Sequence, residues 1–183
     1  MLKLGLVGTN GSGKSSLCAY LSQKGFDVFS LSDIVRQESL LLGNGLDRDT
    51  LIKTGNNLKL SFGLDVLAVR SFEKAQASLG DVVFDSIRHP AESRFFLEKG
   101  VKLIGIDAPV DMRYQRIFAR QAATDCVSFD TFKLQDALEN EGLSSGQHIH
   151  QTLQDCHVII HNTGSITDLF SEVEGFLADW MKT

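Results

Sequence analysis

Apolar and polar positions fall into two kinds of block along the chain. Short, nearly continuous apolar runs read as buried strands: "KLGLV" at 3–7, "DVFSL" at 27–31, "DVVFD" at 81–85, "VKLIGID" at 101–107 and "CHVIIH" at 156–161. Between them lie longer stretches with helical spacing. "KSSLCAYLSQK" at 14–24 is closed by Gly25, and "SDIVRQESLLLG" starts on a Ser/Asp cap signal and stops at a glycine. Residues 47–79 are mostly helical, with expected interruptions near Gly55 and Gly63. "PAESRFFLEK" and "VDMRYQRIFARQ" follow the third and fourth strands. Residues 128–155 look helical with a break near "GLSSG", and "SITDLFSEVEGFLADWM" closes the chain as an amphipathic helix.

Strands this apolar, alternating with helices, predict an α/β domain whose parallel sheet is covered on both faces. Ligands in such sheets bind beyond the carboxyl ends of the strands. The polar residues Thr9 to Ser16, Asp33, Asp85 to Arg88, Asp107 and Asn162 all map to those ends.

The chain of 183 residues has no composition break, repeat or low-complexity segment, so one domain over 1–183 is expected. No apolar run approaches the roughly 20 residues of a membrane span. "MLKLGLVG" runs straight into a glycine loop, so no cleaved leader is expected. The three cysteines, Cys18, Cys126 and Cys156, are odd in number and unpatterned, which points to free thiols in a cytoplasmic setting. A net charge of −5 argues against broad nucleic-acid or membrane affinity, while leaving room for a local basic pocket that takes a small polyanion. Oligomeric state is not readable.

One stretch carries explicit chemistry. Gly8-Thr9-Asn10-Gly11-Ser12-Gly13-Lys14-Ser15 fits G-x-x-x-x-G-K-[ST] at every position, between a strand and a helix. Glycines let backbone N–H groups curl around phosphate, and the helix adds its positive end. Thr9 through Ser16 are therefore the expected nucleotide-binding residues, with Lys14 on the β- and γ-phosphates and Ser15 on Mg²⁺. The expected fold becomes a three-layer P-loop NTPase fold with a five-stranded parallel sheet. The switch motifs D-x-x-G and N-K-x-D are absent. Asp85 is followed by Ser86 rather than a second carboxylate, unlike a motor ATPase. Phosphoryl transfer to a small molecule remains.

Several of the eight arginines fit that reading. Arg36 and Arg88 follow the second and third strands, and Arg113, Arg116 and Arg120 share one helix face. Phosphoryl transfer needs cations on the migrating group and the oxygens flanking it.

Taken in order, the P-loop, "LSDIVR", "DSIRHPAES", "DMRYQRIFAR" and "IIHNTGSITDL" resemble the nucleoside monophosphate kinase group, which includes dephospho-CoA kinases. "IRHPAE", ending at Glu92, is most similar to deoxynucleoside-monophosphate-kinase-like proteins with D-G-I-R-x-P-x-E. The resemblance implies ATP as donor, Mg²⁺ held through Ser15 and Asp85, and acceptor contacts from Arg36 and Arg88. It places Arg116 and Arg120 on the transferring phosphate, with Arg113 beside them, and Asn162 along the adenine. Residues 32–80 would bind the acceptor, and 121–146 would form a short lid. Ser86 replaces the glycine of the pattern, and the lid region contains Lys133 but no arginine. Either the three arginines of the preceding helix do the lid's work or the lid contributes little.

The acceptor is open between two chemistries. A monophosphate needs cations and no base, which Arg36 and Arg88 suit; a hydroxyl benefits from a carboxylate such as Asp33. Dephospho-CoA kinases carry D-x-D where this chain has Leu31, Ser32 and Asp33, and Asp33 could equally cap its helix. The favoured expectation is a (deoxy)nucleoside monophosphate, with Asn56 and Asn57 able to read a base edge. A non-catalytic nucleotide sensor is the third reading. His148, His150, His157, His161 and Cys156 match no zinc spacing, so no metal cluster is expected there.

Overall fold

The computed structural model describes residues 1–120, 127–141 and 147–182. Five strands form one sheet: β1 (Lys3–Gly8), β2 (Asp27–Ser30), β3 (Val82–Ile87), β4 (Lys102–Asp107) and β5 (Val158–His161). Their order is β2-β3-β1-β4-β5, and every pairing is parallel. β1 lies at the centre, with Leu4, Leu6 and Val7 fully buried because helices cover both faces.

On one face, α1 (Lys14–Gln23) and α9 (Ile166–Trp180) pack Leu17, Leu21, Leu169 and Val173 against Leu4, Leu6, Ile104 and Ile106. The other face is covered by α2 (Leu31–Leu41), α3 (Arg48–Phe62), α4 (Val66–Ala75), α5 (Pro90–Glu98) and the short α8 (Ile149–Leu153). Phe84 and Phe96 pack together in its core as a tilted pair, ring centroids 4.5 Å apart. α6 (Val110–Arg120) follows β4, and α7 (Phe129–Glu141) packs against it.

The five-stranded parallel sheet and its covering helices follow the sequence pattern, with small differences at the ends. β2 stops at Ser30, because Leu31 already faces the core as the first residue of α2. Gly55 does not interrupt α3; it sits where α3 meets α2, and a side chain there would contact Val35. Burial of Thr54 and Leu58 beside it outweighs the roughly 1 kcal/mol that a helical glycine costs. Gly63 does end the helix, at φ 106°. In the expected lid span, α7 is described, while 121–126 and 142–146, with the "GLSSG" break, lie outside the described residues.

Candidate functional site

The loop between β1 and α1 curls as its glycines allow. Gly8, Gly11 and Gly13 take φ of 152°, 79° and 115°, conformations that side chains rarely adopt. Side-chain bulk is also excluded at the loop: a Cβ on Gly8 would overlap the Ile106 carbonyl, and one on Gly13 would strike the Asn162 amide. Asn162 braces the loop from behind, donating from Nδ2 to the Ser12 carbonyl at 2.8 Å. Its backbone N–H is fixed on Asp107 at the end of β4.

Lys14 folds back over the loop and donates to the carbonyls of Gly8 and Thr9 at 2.6 and 2.7 Å. Burial lowers its pKa to about 8, partly countered by the nearby charge of Asp85. Ser15 and Ser16 are exposed at the start of α1. One turn on, burial and the neighbouring Asp85 push the Cys18 thiol up to about 12, so it remains neutral.

Two cavities meet over this loop. The first, of about 550 Å³, is lined by loop residues with Arg116, Ile117, Asn162 and Ile166. The second, of about 480 Å³, opens between α2, α3 and α7. Asn10, Ser15, Asp85, Ser86, Arg88 and Arg120 line both, so they form the wall where the cavities join.

That wall is rich in polar atoms with spare capacity. Asp85 Oδ1 and Arg88 Nε, with Arg116 Nη1 in the first cavity, are buried and find no hydrogen-bond partner among the described residues. Asp85 Oδ2 accepts from the Ser86 hydroxyl at 3.0 Å. A buried carboxylate oxygen and the exposed Ser15 hydroxyl line the same wall, a donor set that suits a hard divalent cation, so Ser15 and Asp85 fit Mg²⁺. Ser86 stands at φ 67°, the left-handed region that the glycine of the related pattern would occupy without strain.

Arg88 is held from three directions. Its N–H donates to Glu92 Oε2 at 2.9 Å, its carbonyl accepts from His148 N–H at 2.9 Å, and its Nη1 donates to Gln147 at 3.3 Å. Glu92 also accepts from His89 N–H at 3.1 Å and pairs with Lys59 at 3.3 Å, both side chains buried. His89 caps α5 through Nδ1, and burial together with the Lys59 charge holds its pKa down near 4.

Other expected residues lie apart from this wall. Arg113 does not line either cavity with Arg116 and Arg120. It is buried beneath the loop, donating to Ala108, Asn10 and Asp136. Arg116 donates to the Asn162 carbonyl at 3.0 Å. Asp33 is exposed and pairs with Arg36 at 2.7 Å; it neither caps α2 with a hydrogen bond nor lines the second cavity, whereas Arg36 does. Asn56 lines that cavity and Asn57 does not. Among the histidines, His157 Nδ1 accepts from Leu103 N–H, and the His148 ring packs on His89.

Several polar lining residues were not singled out in the sequence: Arg48 and Lys59 within the expected acceptor span, Glu139 within the expected lid, and Ser30 and Gln147 outside both. Two of them had a signal. Arg48, Leu51, Ile52, Gly55, Asn56 and Lys59 recur at helical spacing, and that is the face α3 turns to the cavity. Glu139 and Gln147 had none, since their partners Arg48 and Arg88 are 91 and 59 residues away.

Comparison with solved structures agrees with this architecture. A Thermus thermophilus protein superposes with TM-score 0.64 at 20% identity, over 97% of both chains. Shikimate kinase from Acinetobacter baumannii gives 0.59 at 16% identity, over 98% of this chain and 94% of its own. Deoxyadenosine kinase from M. mycoides gives 0.58 at 12% identity, over 97% and 100%. At these identities the likeness establishes the fold, which is that of P-loop kinases. A UPF0200/UPF0201 protein of Archaeoglobus fulgidus is 29% identical over 97% of this chain, which spans only 55% of that protein's length. A UPF0200 protein of Thermococcus kodakarensis is 30% identical over 72% of this chain and 75% of its own. The AAA domain family model matches residues 4–130. With the phosphate loop inside that match and relatives of this extent beside it, the chain belongs to the AAA domain family and to the UPF0200 proteins.

Proposed function

We propose that this protein transfers the γ-phosphoryl group of ATP to a small phosphorylated acceptor, a nucleoside or deoxynucleoside monophosphate. The observation that carries the reading is the shared wall: a phosphate-loop cavity and a second, cation-rich cavity meet at Asn10, Ser15, Asp85, Ser86, Arg88 and Arg120. An oxygen of the acceptor phosphate placed there attacks the γ-phosphorus. The bond to the β–γ bridging oxygen breaks, and ADP leaves with the electron pair.

The side chains divide the work. Lys14 swings from its own loop carbonyls to the polyphosphate, which restores its full positive charge. Arg88, whose Nε has no partner among the described residues, and Arg36 hold the acceptor dianion against its repulsion from ATP. Arg116 and Arg120 face the migrating group from α6. Mg²⁺ bound by Ser15 and Asp85 would neutralise polyphosphate charge and fix its geometry.

A phosphate acceptor is supported over a hydroxyl acceptor by Asp33. The residue best placed in sequence to take a hydroxyl proton is turned outward onto Arg36. Measuring ADP release with ribo- and deoxynucleoside monophosphates and with dephospho-CoA tests the reading. Turnover with a monophosphate supports it. Turnover with dephospho-CoA alone replaces it, and nucleotide binding without any turnover makes the protein a sensor.

A further inference from the structure

α7 brings no arginine to the site; it brings an acid. Glu139 is buried, with about a tenth of its side chain exposed, and it lines the acceptor cavity. Arg48 at the start of α3 donates to it through Nη2. Arg48 keeps about a third of its side-chain surface open and lines the same cavity as Arg36, Arg88 and Arg120. Glu139 also lies close enough to Lys14 for its charge to favour the protonated ammonium. The cavity that the pair lines reaches the phosphate-loop cavity at Arg88 and Arg120. A guanidinium carries five N–H donors, so a bond to one carboxylate oxygen leaves others for a second anion.

We infer that Arg48 is a further phosphate-binding residue of the acceptor cavity and that Glu139 is its positioning residue. The arginine that the lid region lacks is supplied from the acceptor side and held in place by α7. The inference rests on the phosphate-acceptor reading above. Arg48 contacts the ligand, whereas Glu139 acts through Arg48.

The test needs no knowledge of the base or sugar. Inorganic pyrophosphate occupies the phosphate loop alone, whereas linear inorganic pentaphosphate is long enough to continue past the γ-position into the acceptor cavity. Calorimetric binding of both is measured for the wild type, Arg48→Ala, Arg48→Lys and Glu139→Gln. The wild type binds pentaphosphate more tightly than pyrophosphate. Arg48→Ala loses about ten- to a hundredfold of the pentaphosphate affinity and keeps its pyrophosphate affinity, which also certifies that the variant is folded. Arg48→Lys recovers part of the loss, because charge returns without the fork. Glu139→Gln gives an intermediate loss confined to pentaphosphate. If Arg48→Ala and Arg48→Lys bind pentaphosphate like the wild type, the pair is only a strap between α3 and α7 and the inference falls. If the wild type binds both probes equally, the phosphate-acceptor reading falls first and takes this one with it.

Discussion

Arg113 grips Asp136 through two parallel N–H···O bonds of 2.6 and 2.7 Å, and so ties α6 to α7 directly beneath the phosphate loop. The same guanidinium donates to the Asn10 carbonyl, and Gly11 rests against the Arg113 backbone so closely that a Cβ there would come within 2.7 Å of its oxygen. Arg113 is a support for the loop.

Removing its partner should therefore cost stability. Asp136→Ala leaves a buried guanidinium without its counter-charge, and breaking such a pair costs about 3–5 kcal/mol. Urea unfolding of the variant measures this. A loss below about 1 kcal/mol would place the pair among the weak surface bridges.

Lys14 makes nucleotide binding sensitive to alkali. Its pKa near 8 in the free protein lies below its ordinary 10.5, so the unfolded chain binds more protons between those values. Across that window this group makes stability rise with pH, and below pH 8 the penalty for burying its charge is fully present. Polyphosphate needs the charged form, so the dissociation constant for ATP should rise about tenfold per pH unit above 8, with proton uptake on binding. Calorimetry in buffers of different ionisation enthalpy detects that uptake; its absence at pH 9 would contradict the assignment. Lys14→Met should stabilise the free protein and abolish its stabilisation by ATP.

Ser86 holds a left-handed backbone that a glycine would adopt freely. Ser86→Ala and Ser86→Gly both lose the hydroxyl bond to Asp85, but only alanine keeps the strain. The glycine variant should be the more stable of the two by about 1 kcal/mol, read as a difference in denaturation midpoint. Equal midpoints would mean that the turn relaxes around a side chain.

On the proposed reading, substitutions at Arg88 and Arg120 should separate binding from transfer. Arg88→Ala should raise the acceptor Michaelis constant about ten- to a hundredfold while ATP binding holds. Arg120→Ala should lower turnover at least as much with both substrates still bound. A two-substrate kinetic matrix checks both, and the opposite split would exchange the two roles.

The parts of the molecule legible in its sequence are those with local grammar. The phosphate loop is contiguous, and the strands are apolar runs long enough to be read one by one. Arg113, Arg116 and Arg120 share a helix face as their spacing requires, yet spacing says nothing of depth. Arg113 lies one turn nearer the loop and meets Asp136 on another helix. The acceptor cavity was half visible, because the lining face of α3 is periodic. Glu139 and Gln147 enter only when distant segments come together, and no local pattern records that.

The position of β1 sets the order in which the chain can become competent. Its first strand is its central one, flanked by β3 and β4, which are synthesised some 80 to 100 residues later. The phosphate loop hangs from that strand, leans on Ile106 and is braced by Asn162. A growing chain therefore carries the complete motif well before the segments that brace it, and cannot use it until Ile106 and Asn162 have emerged and folded into place. The contacts that shape the loop are among the longest in sequence, and such contacts form slowly. A nucleotide can reward the finished fold but cannot template its early steps, so nucleotide binding reports the completion of folding.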